Sequence, residues 1–245
     1  MRYVRLLLAA AVVLIAPIAS ADTYPSRPIR IIVSYAPGGG TDLIARTLAK
    51  KLNEAMGEPV IVENHAGAGG NIGTELVAKA PPDGYMLTLV PSSHAIAPLF
   101  YPNLPFDVFK DFTFIGLLAS GPNIVVVNPN VPAKSIQELV ALAKSKPGEL
   151  TFASAGVGSS THLAGEYFNS VTGIKALHVP YKGSSQAEAD VVGGRIAYMV
   201  DSIPSALPKV QAGQVRALAT TGKTRFASLP DVPTVQEAGF PYESL

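Results

Sequence analysis

The chain has 245 residues, of which 48% are hydrophobic and 15% charged, so it is long and apolar enough to bury a core as one large domain or two small ones. Its formal net charge of +1 provides no general attraction to nucleic acid. It contains no cysteine, which excludes disulfides, thiolate catalysis and thiolate metal sites.

Residues 1–21 have the pattern of a secretory signal peptide. Arg2 and Arg5 precede an apolar run at residues 6–16, and an Ala-Ser-Ala sequence at residues 19–21 supplies the small side chains of a cleavage site. The run is too short to span a bilayer as a helix. We therefore expect an exported, soluble mature chain that begins at Asp22.

The rest of the chain alternates strand-like and helix-like segments, which is typical of a parallel sheet with crossover helices. A dense β-branched run at residues 29–35 is followed by apolar residues at helical spacing up to Met56. After a proline-rich loop at residues 91–111, strand-like runs occur at residues 112–118 and 123–127. A second series of strand–helix units then begins, so the sequence predicts two α/β halves.

Helix starts are predicted where a serine or threonine precedes a glutamate by three residues, because the two side chains cap each other's backbone N–H groups. This pattern begins at Ser135, Ser185 and Thr234. The hinges between the two halves are predicted near residues 121–123 and 221–224.

Three glycine-rich loops separate predicted strands from predicted helices, at residues 35–42, 64–73 and 154–162. Glycine lets a ligand approach the backbone closely, and a helix N-terminus presents unpaired N–H groups with a partial positive charge. In open α/β sheets, ligands bind at the carboxyl ends of the strands. The loops therefore predict an anion-binding site.

Nucleotide chemistry is disfavoured by the spacing within these loops. Gly67, Gly69 and Gly73 are one residue too far apart for the dinucleotide fingerprint, and no loop matches a P-loop. We predict no cofactor.

The four histidines disfavour a metal site, because none of them has the spacing of a metal-binding pair. They are His65, His94, His162 and His178. Ser154 lacks the flanking glycines of a hydrolase nucleophile elbow, although a triad assembled in space remains open. His94 and His162 can each donate to a ligand or fill a satisfied polar position.

Two further residues have both a binding and a structural interpretation. Lys182 precedes a predicted helix. Its ammonium group either binds the carboxylate of a ligand or is simply solvated. Asp201 follows the apolar run at residues 196–200, where it binds an ammonium or hydroxyl group or caps the next helix.

In sequence and in order, these loops resemble those of the Bug family, the periplasmic substrate-binding proteins of tripartite tricarboxylate transporters. The resemblance rests on YAPGGGTD at residues 35–42, GAGGNIG at residues 67–73, PDGY at residues 82–85, SAGVGS at residues 154–159 with His162, and VPYKG at residues 179–183. It covers nearly all of residues 23–245.

The resemblance implies an α/β fold of the type II periplasmic-binding-protein class, with two α/β lobes joined by two crossing strands and a ligand cleft between them. Residues 22–122 and 224–245 would form lobe one, and residues 123–223 lobe two. Family members usually continue beyond residue 245, so we expect the C-terminal part of lobe one to be truncated.

The resemblance also implies which residues line the cleft and hold a carboxylate, largely through backbone N–H groups, hydroxyls and ordered water. From lobe one these are Tyr35, Pro37, Gly38, Gly39, Asp42, Asn71, Ser92, Ser93 and His94. From lobe two they are Ser154, Gly156, Gly158, Ser159, His162, Tyr181, Lys182 and Asp201.

The function that the resemblance implies is that of a receptor and not of an enzyme. Such a monomer binds a small organic acid in the periplasm of a Gram-negative bacterium and delivers it to the permease subunits of a tripartite tricarboxylate transporter, without a metal, cofactor or nucleic acid. Two alternatives remain open. One is a secreted hydrolase or isomerase of small carboxylates with His94 or His162 as general base, and the other is a solute receptor for signalling.

Overall fold

The computed structural model describes residues 24–245, so the predicted signal peptide lies outside the described residues. Across residues 24–245, no helix combines the length and apolar character needed to span a bilayer.

Eight strands and seven α-helices alternate along the described part of the chain. In order they are β1 (Ile29–Val33), α1 (Gly40–Met56), β2 (Val60–Asn64), α2 (Asn71–Ala78), β3 (Met86–Leu89), α3 (Ala97–Phe100), β4 (Asn123–Val127), α4 (Ile136–Ser145), β5 (Thr151–Ser154), α5 (Ser160–Thr172), β6 (Leu177–Pro180), α6 (Ser184–Val192), β7 (Tyr198–Ser202), α7 (Ile203–Gln211) and β8 (Arg216–Thr220). Short 3₁₀ helices occur at Ala68–Gly70 and Ser92–Ile96.

The first sheet is parallel, with the strand order β2-β1-β3. Ile31 and Val33 of the central strand are buried and pack with Ala45 and Ala49 of α1. We call residues 24–122, which contain this sheet, lobe one. The carboxyl ends of β1, β2 and β3 all point the same way, so the loops that follow these strands meet at one edge of the sheet.

The second sheet has the order β6-β5-β7-β4-β8, in which β4 runs antiparallel to both of its neighbours. Alternate residues of β4 belong to different cores, as the period of two in a strand requires. Val125 and Val127 pack beside α4 and α5, whereas Ile124 and Val126 pack beside α6 and α7. The sheet is therefore covered by helices on both faces, and we call residues 123–245 lobe two.

The two predicted hinge segments lie side by side. Asn123 N donates to Thr221 Oγ1 at 2.7 Å, and Thr221 N donates to Asn123 O at 2.9 Å. The chain thus enters lobe two and leaves its last strand at the same point.

The C-terminal residues 224–245 pack on lobe two and not on lobe one, to which the sequence assigned them. Val235 and Tyr242 are fully buried in the core that covers one face of the second sheet. Tyr242 Oη donates to Ala164 O at 2.9 Å, and Gln137 Nε2 donates to Ala238 O at 2.8 Å. The segment packs on lobe two because the side chains of Val235 and Tyr242 are buried in this core.

The predicted strand at residues 112–118 is not formed. Within residues 24–245 the outer edge of β3 has no neighbouring strand, and Ile115 and Leu117 are more than 80% exposed. An extended run without a ladder partner cannot become a strand, whatever its residue preferences.

Candidate functional site

The loop after β1 and the loop after β6 contact each other across the two lobes. Ala36 N donates to Lys182 O at 3.1 Å, and Ser185 Oγ donates to Pro37 O at 2.6 Å. Gly183 allows this approach, because a Cβ at this position would lie 2.7 Å from the backbone nitrogen of Ala36. The predicted cleft loop at residues 35–42 of lobe one therefore meets the predicted cleft loop at residues 181–183 of lobe two.

A second contact joins the loop before α2 to the loop before α5. Tyr101 Oη donates to Val157 O at 3.0 Å. Gly69 lies so close to lobe two that a Cβ would be 2.2 Å from Val157 O, and its backbone has a positive φ of 63°. With both contacts made, the structure has its two lobes closed against each other.

Beside the second contact lies a small cavity, which we call the inner cavity. It is lined by Ser34, Tyr35, Gly69, Gly70, Asn71, Thr74, Val90, Pro91, Ser93, His94, Ala97, Tyr101 and Gly158. None of these residues carries a formal charge at neutral pH with histidine neutral. The helix α2 begins at Asn71 in its wall, which directs the positive end of the helix dipole at the cavity.

Tyr35 lines the inner cavity. Its hydroxyl donates to Gly69 O at 2.8 Å. Burial raises the pKa of the Tyr35 phenol, so the ring stays neutral at physiological pH. The Tyr35 hydroxyl is therefore a neutral group whose hydrogen is already used, and the lining of the cavity contains no lysine or arginine.

His94 lines the same cavity as a neutral imidazole. Its Nε2 lies 2.9 Å from Val108 O, an acceptor, which assigns the proton to this nitrogen. Burial lowers the pKa of His94, against the opposing effect of the hydrogen bond to Val108. The rings of Phe106 and Phe112 pack around it, so the imidazole is held in place by its neighbours.

Ser154 and His162 lie beneath the loop of lobe two and support it. Ser154 is fully buried, and its Oγ lies 2.6 Å from His178 Nε2. His162 Nδ1 accepts a hydrogen bond from Gly158 N at 3.1 Å, while Ser159 Oγ accepts one from His162 N.

The rings of His162 and His178 in lobe two stack with their centroids 4.1 Å apart. Burial, with the proximity of His162, lowers the pKa of His178 to about 4. Burial also lowers the pKa of His162, against the effect of Glu166. Of the carboxylates in residues 24–245, none forms an ion pair with His178, so the Ser154–His178 contact lacks the acid of a catalytic triad.

Asp42 acts within lobe one. Its Oδ2 accepts from Gly38 N and Arg46 Nε, both at 2.9 Å, and its Oδ1 accepts from Asn64 Nδ2. Burial alone would raise the pKa of the Asp42 carboxyl, but these hydrogen bonds lower it below the ordinary value. The helix α1 begins one residue after Gly39, so Asp42 holds the preceding turn and does not reach the inner cavity.

Asp201 is likewise internal. It is fully buried, and its Oδ1 accepts from Ser184 Oγ and Ser202 N, both at 2.8 Å. Its second oxygen faces Glu188, whose carboxylate lies 2.5 Å from Lys209 Nζ. Burial, together with Glu188, raises the pKa of Asp201 well above its ordinary value. This carboxyl group supports the starts of α6 and α7.

Of the predicted site residues, the structure brings Tyr35, Asn71, Ser93, His94 and Gly158 to the inner cavity. Pro37 and Lys182 contribute main-chain oxygens to the contact between the lobes, and a Cβ added at Gly38 or Gly39 would lie within 3.5 Å of Ser185 or Ser184. Gly156 lies against Gly69. Ser92 is exposed, and Tyr181 donates its hydroxyl to Asp190 within lobe two.

Sequence reasoning missed Tyr101, which both lines the inner cavity and bonds to the other lobe. It follows a four-residue helix in a segment without periodicity, so no pattern marks it. In the part of the chain that the structure describes, no group of three or more histidine and acidic residues is placed to hold a metal ion.

Comparison with known proteins identifies similar chains. A profile of the tripartite tricarboxylate transporter family receptor matches residues 44–244. The protein BugT of Bordetella pertussis is 42% identical over 91% of this chain and 69% of its own.

Two similar solved structures come from Rhodopseudomonas palustris. Rpa4515 with adipate is 36% identical with a TM-score of 0.87, covering 90% of this chain and 75% of that one. MatC with bound malate is 32% identical with a TM-score of 0.85, covering 90% and 76%.

These similarities confirm the predicted periplasmic-binding-protein fold with its α/β lobes. The chain spans about two thirds of the length of the curated relatives that it matches, 65% in one Pseudomonas protein and 69% in BugT.

Proposed function

Because the chain belongs to the receptor family of tripartite tricarboxylate transporters, as its loops predicted, we propose that it is a periplasmic receptor for a small organic carboxylate. Its relatives include a structure with adipate and one with malate, both of them carboxylic acids. The proposed ligand site is the inner cavity.

The observation that carries this proposal is an uncharged cavity lined by lobe one and by Gly158 of lobe two. Its wall contains the start of α2 and the hydroxyl group of Ser93, whereas the Tyr35 and Tyr101 hydroxyls already donate to Gly69 O and Val157 O. A carboxylate is stabilised by N–H and O–H donors and by the positive end of a helix dipole, without a cation. The absence of charge from the lining favours one carboxylate group in the cavity.

Binding proceeds by closure of the lobes around the acid. Both walls of the inner cavity contain glycine, at Gly69 and Gly70 on one side and Gly158 on the other. An acid that bonds to both lobes has a higher affinity for the closed state than for the open one, so it shifts the population towards closure. The contacts at Ala36 and Tyr101 are made only when the lobes are closed.

The proposal extends to localisation and partners. The pattern at residues 1–21 directs the chain to the periplasm of a Gram-negative bacterium, where it works as a monomer without nucleic acid. Permease subunits of a tripartite tricarboxylate transporter recognise its closed form and accept the acid. The proposal contains no catalytic step.

A thermal-shift screen of residues 22–245 against mono-, di- and tricarboxylates and their amides tests the proposal. At 100 times its dissociation constant, a ligand adds about 2.7 kcal/mol, which is roughly 5 to 10 °C for a chain of this size. We expect a shift with an acid and none with its amide. A cooperative melting transition that no acid moves contradicts the proposal.

A further inference from the structure

The inner cavity is too small for a whole organic acid. The space open to the centre of a water molecule is about 10 Å³, which is about the room that one water molecule needs. A carboxylate head group fits such a space once a few side chains adjust, whereas its carbon chain must leave the cavity.

A second and larger recess, which we call the outer groove, adjoins the inner cavity. The two share Asn71 and Tyr101 in their walls. The space open to a water centre in the outer groove is about 330 Å³, within the range of small-molecule sites. A chain that passes between Asn71 and Tyr101 therefore enters the outer groove directly.

The walls of the outer groove are mostly apolar, with Ile72, Phe100, Pro102 and Leu104 among them. Ile72 is 49% exposed and Phe100 36% exposed, so both present apolar surface to whatever occupies the groove. Covering this surface with a methylene chain is favourable by the hydrophobic effect.

The one charged residue among the lining residues of the outer groove is Glu75. Its carboxylate pairs with Lys79, which is on the same helix and is not part of the lining. A second carboxylate at the far end of the ligand would meet Glu75 and be repelled, whereas an uncharged tail would not.

We propose that the outer groove binds the apolar tail of the ligand, so that the preferred substrates are monocarboxylates with an uncharged aliphatic or aryl tail. This inference rests on the proposed function, because it takes the inner cavity as the seat of the carboxylate. Tyr101 and Asn71 lie between head and tail, and Glu75 selects against dicarboxylates of the same length.

Isothermal titration with butyrate, hexanoate, octanoate, adipate and suberate tests the inference. With wild-type protein we expect affinity to rise from butyrate to hexanoate by up to about fourfold for each methylene group. Octanoate should bind more tightly than suberate, which has the same number of carbons and a second carboxylate.

Three variants show whether the outer groove causes this preference. Ile72→Ser should weaken octanoate at least threefold and leave butyrate unchanged. Glu75→Gln should strengthen suberate and leave octanoate unchanged. Glu54→Gln is the matched control, because Glu54 also pairs with a lysine on its own helix but lies outside the groove.

The outcomes separate the inference from the proposed function. If acids bind but affinity does not rise with tail length, or if Ile72→Ser and Glu75→Gln behave as Glu54→Gln does, the outer groove is not the tail subsite and the receptor proposal stands. If no acid binds the wild-type chain, both are overturned.

Discussion

At the residue scale, single glycines decide how closely the two lobes approach. Gly183 lies where any side chain would collide with the backbone of Ala36 in the opposite lobe. Its φ of 169° is extended backbone open to any residue, so the requirement for glycine comes from the neighbouring lobe and not from the local conformation. A substitution here acts on closure and leaves each lobe intact.

We expect Gly183→Ala to weaken acid binding about 5- to 150-fold, since overpacking a tight contact costs about 1–3 kcal/mol. The melting temperature without ligand should stay close to that of wild type. Isothermal titration with the acid that gives the largest thermal shift measures the loss. Gly116→Ala is the control, because a Cβ there has no neighbour within 4 Å. Equal affinities of the two variants would show that the loops need not touch during binding.

The sequence predicted where the glycine-rich loops lie, but not which donors surround the acidic residues beside them. Asp42 and Asp201 were expected to face the ligand, and both instead accept hydrogen bonds inside their own lobes. A buried carboxylate and a ligand-binding one are alike in sequence, because what distinguishes them is the set of donors that other segments bring. Tyr101 escaped notice because its segment has no periodic pattern.

At the scale of elements, β7 ends at a buried pair of carboxyl groups, Asp201 and Glu188. Asp201 Oδ2 has no hydrogen-bond donor unless a proton lies between the two groups. Lys209 neutralises the second carboxylate from α7. The ends of β7, α6 and α7 therefore meet at a buried carboxyl pair, in which the pKa of Asp201 is raised, and at one ion pair.

This pair makes stability depend on pH in a defined direction. Because the folded-state pKa of Asp201 is raised above its unfolded value, its contribution is fully present below the unfolded pKa and is lost as pH rises through the folded pKa. The asparagine of the variant Asp201→Asn cannot ionise. As pH rises from 4 to 8, the free energy of unfolding of this variant should therefore increase relative to that of wild type. The gain is about 1.4 kcal/mol for each pH unit between the two pKa values.

Urea unfolding at several pH values measures this difference, with the exposed acid variant Asp231→Asn as the control. A difference between Asp201→Asn and wild type that stays constant or shrinks with rising pH would mean that Asp201 is ionised in the folded protein.

The two sheets should differ in local stability. The strands β2 and β3 are half-buried edges of a three-stranded sheet, whereas β4 and β7 lie between two neighbours in lobe two and are almost fully buried. Local opening follows burial and backbone pairing. Hydrogen exchange followed by mass spectrometry should show amides of β2 and β3 exchanging at least tenfold faster than those of β4 and β7. Equal protection in the two sheets would contradict this ranking.

Helix starts were predicted from capping patterns with mixed success, for a physical reason. At Ser135 the pattern works, since Ser135 Oγ accepts from Glu138 N at 3.1 Å at the start of α4. At Ser185 it is wrong, because α6 begins at Ser184 and Glu188 is buried against Lys209. At Thr234 the reciprocal bonds with Glu237 form but no helix follows. Tertiary packing decides which local preference is used.

At the scale of the whole molecule, the alternation of strands and helices predicted two α/β lobes, and the similarity to solved structures confirms that fold. The position of residues 224–245 was beyond sequence reasoning. Its capping pattern and its apolar residues suit either lobe, and only the space beside β4, β5 and β7 places Val235 and Tyr242 in lobe two. Likewise, the run at residues 112–118 has strand preferences but finds no partner strand within residues 24–245.

Closure of the two lobes on a carboxylate is the central event of binding, and small-angle X-ray scattering tests it most directly. The radius of gyration of residues 22–245 should fall when the acid identified by thermal shift is added at saturation. It should not fall with the corresponding amide, nor with the acid when Gly183→Ala keeps the loops apart. A radius that stays the same or increases while the acid binds the wild-type chain would contradict the account.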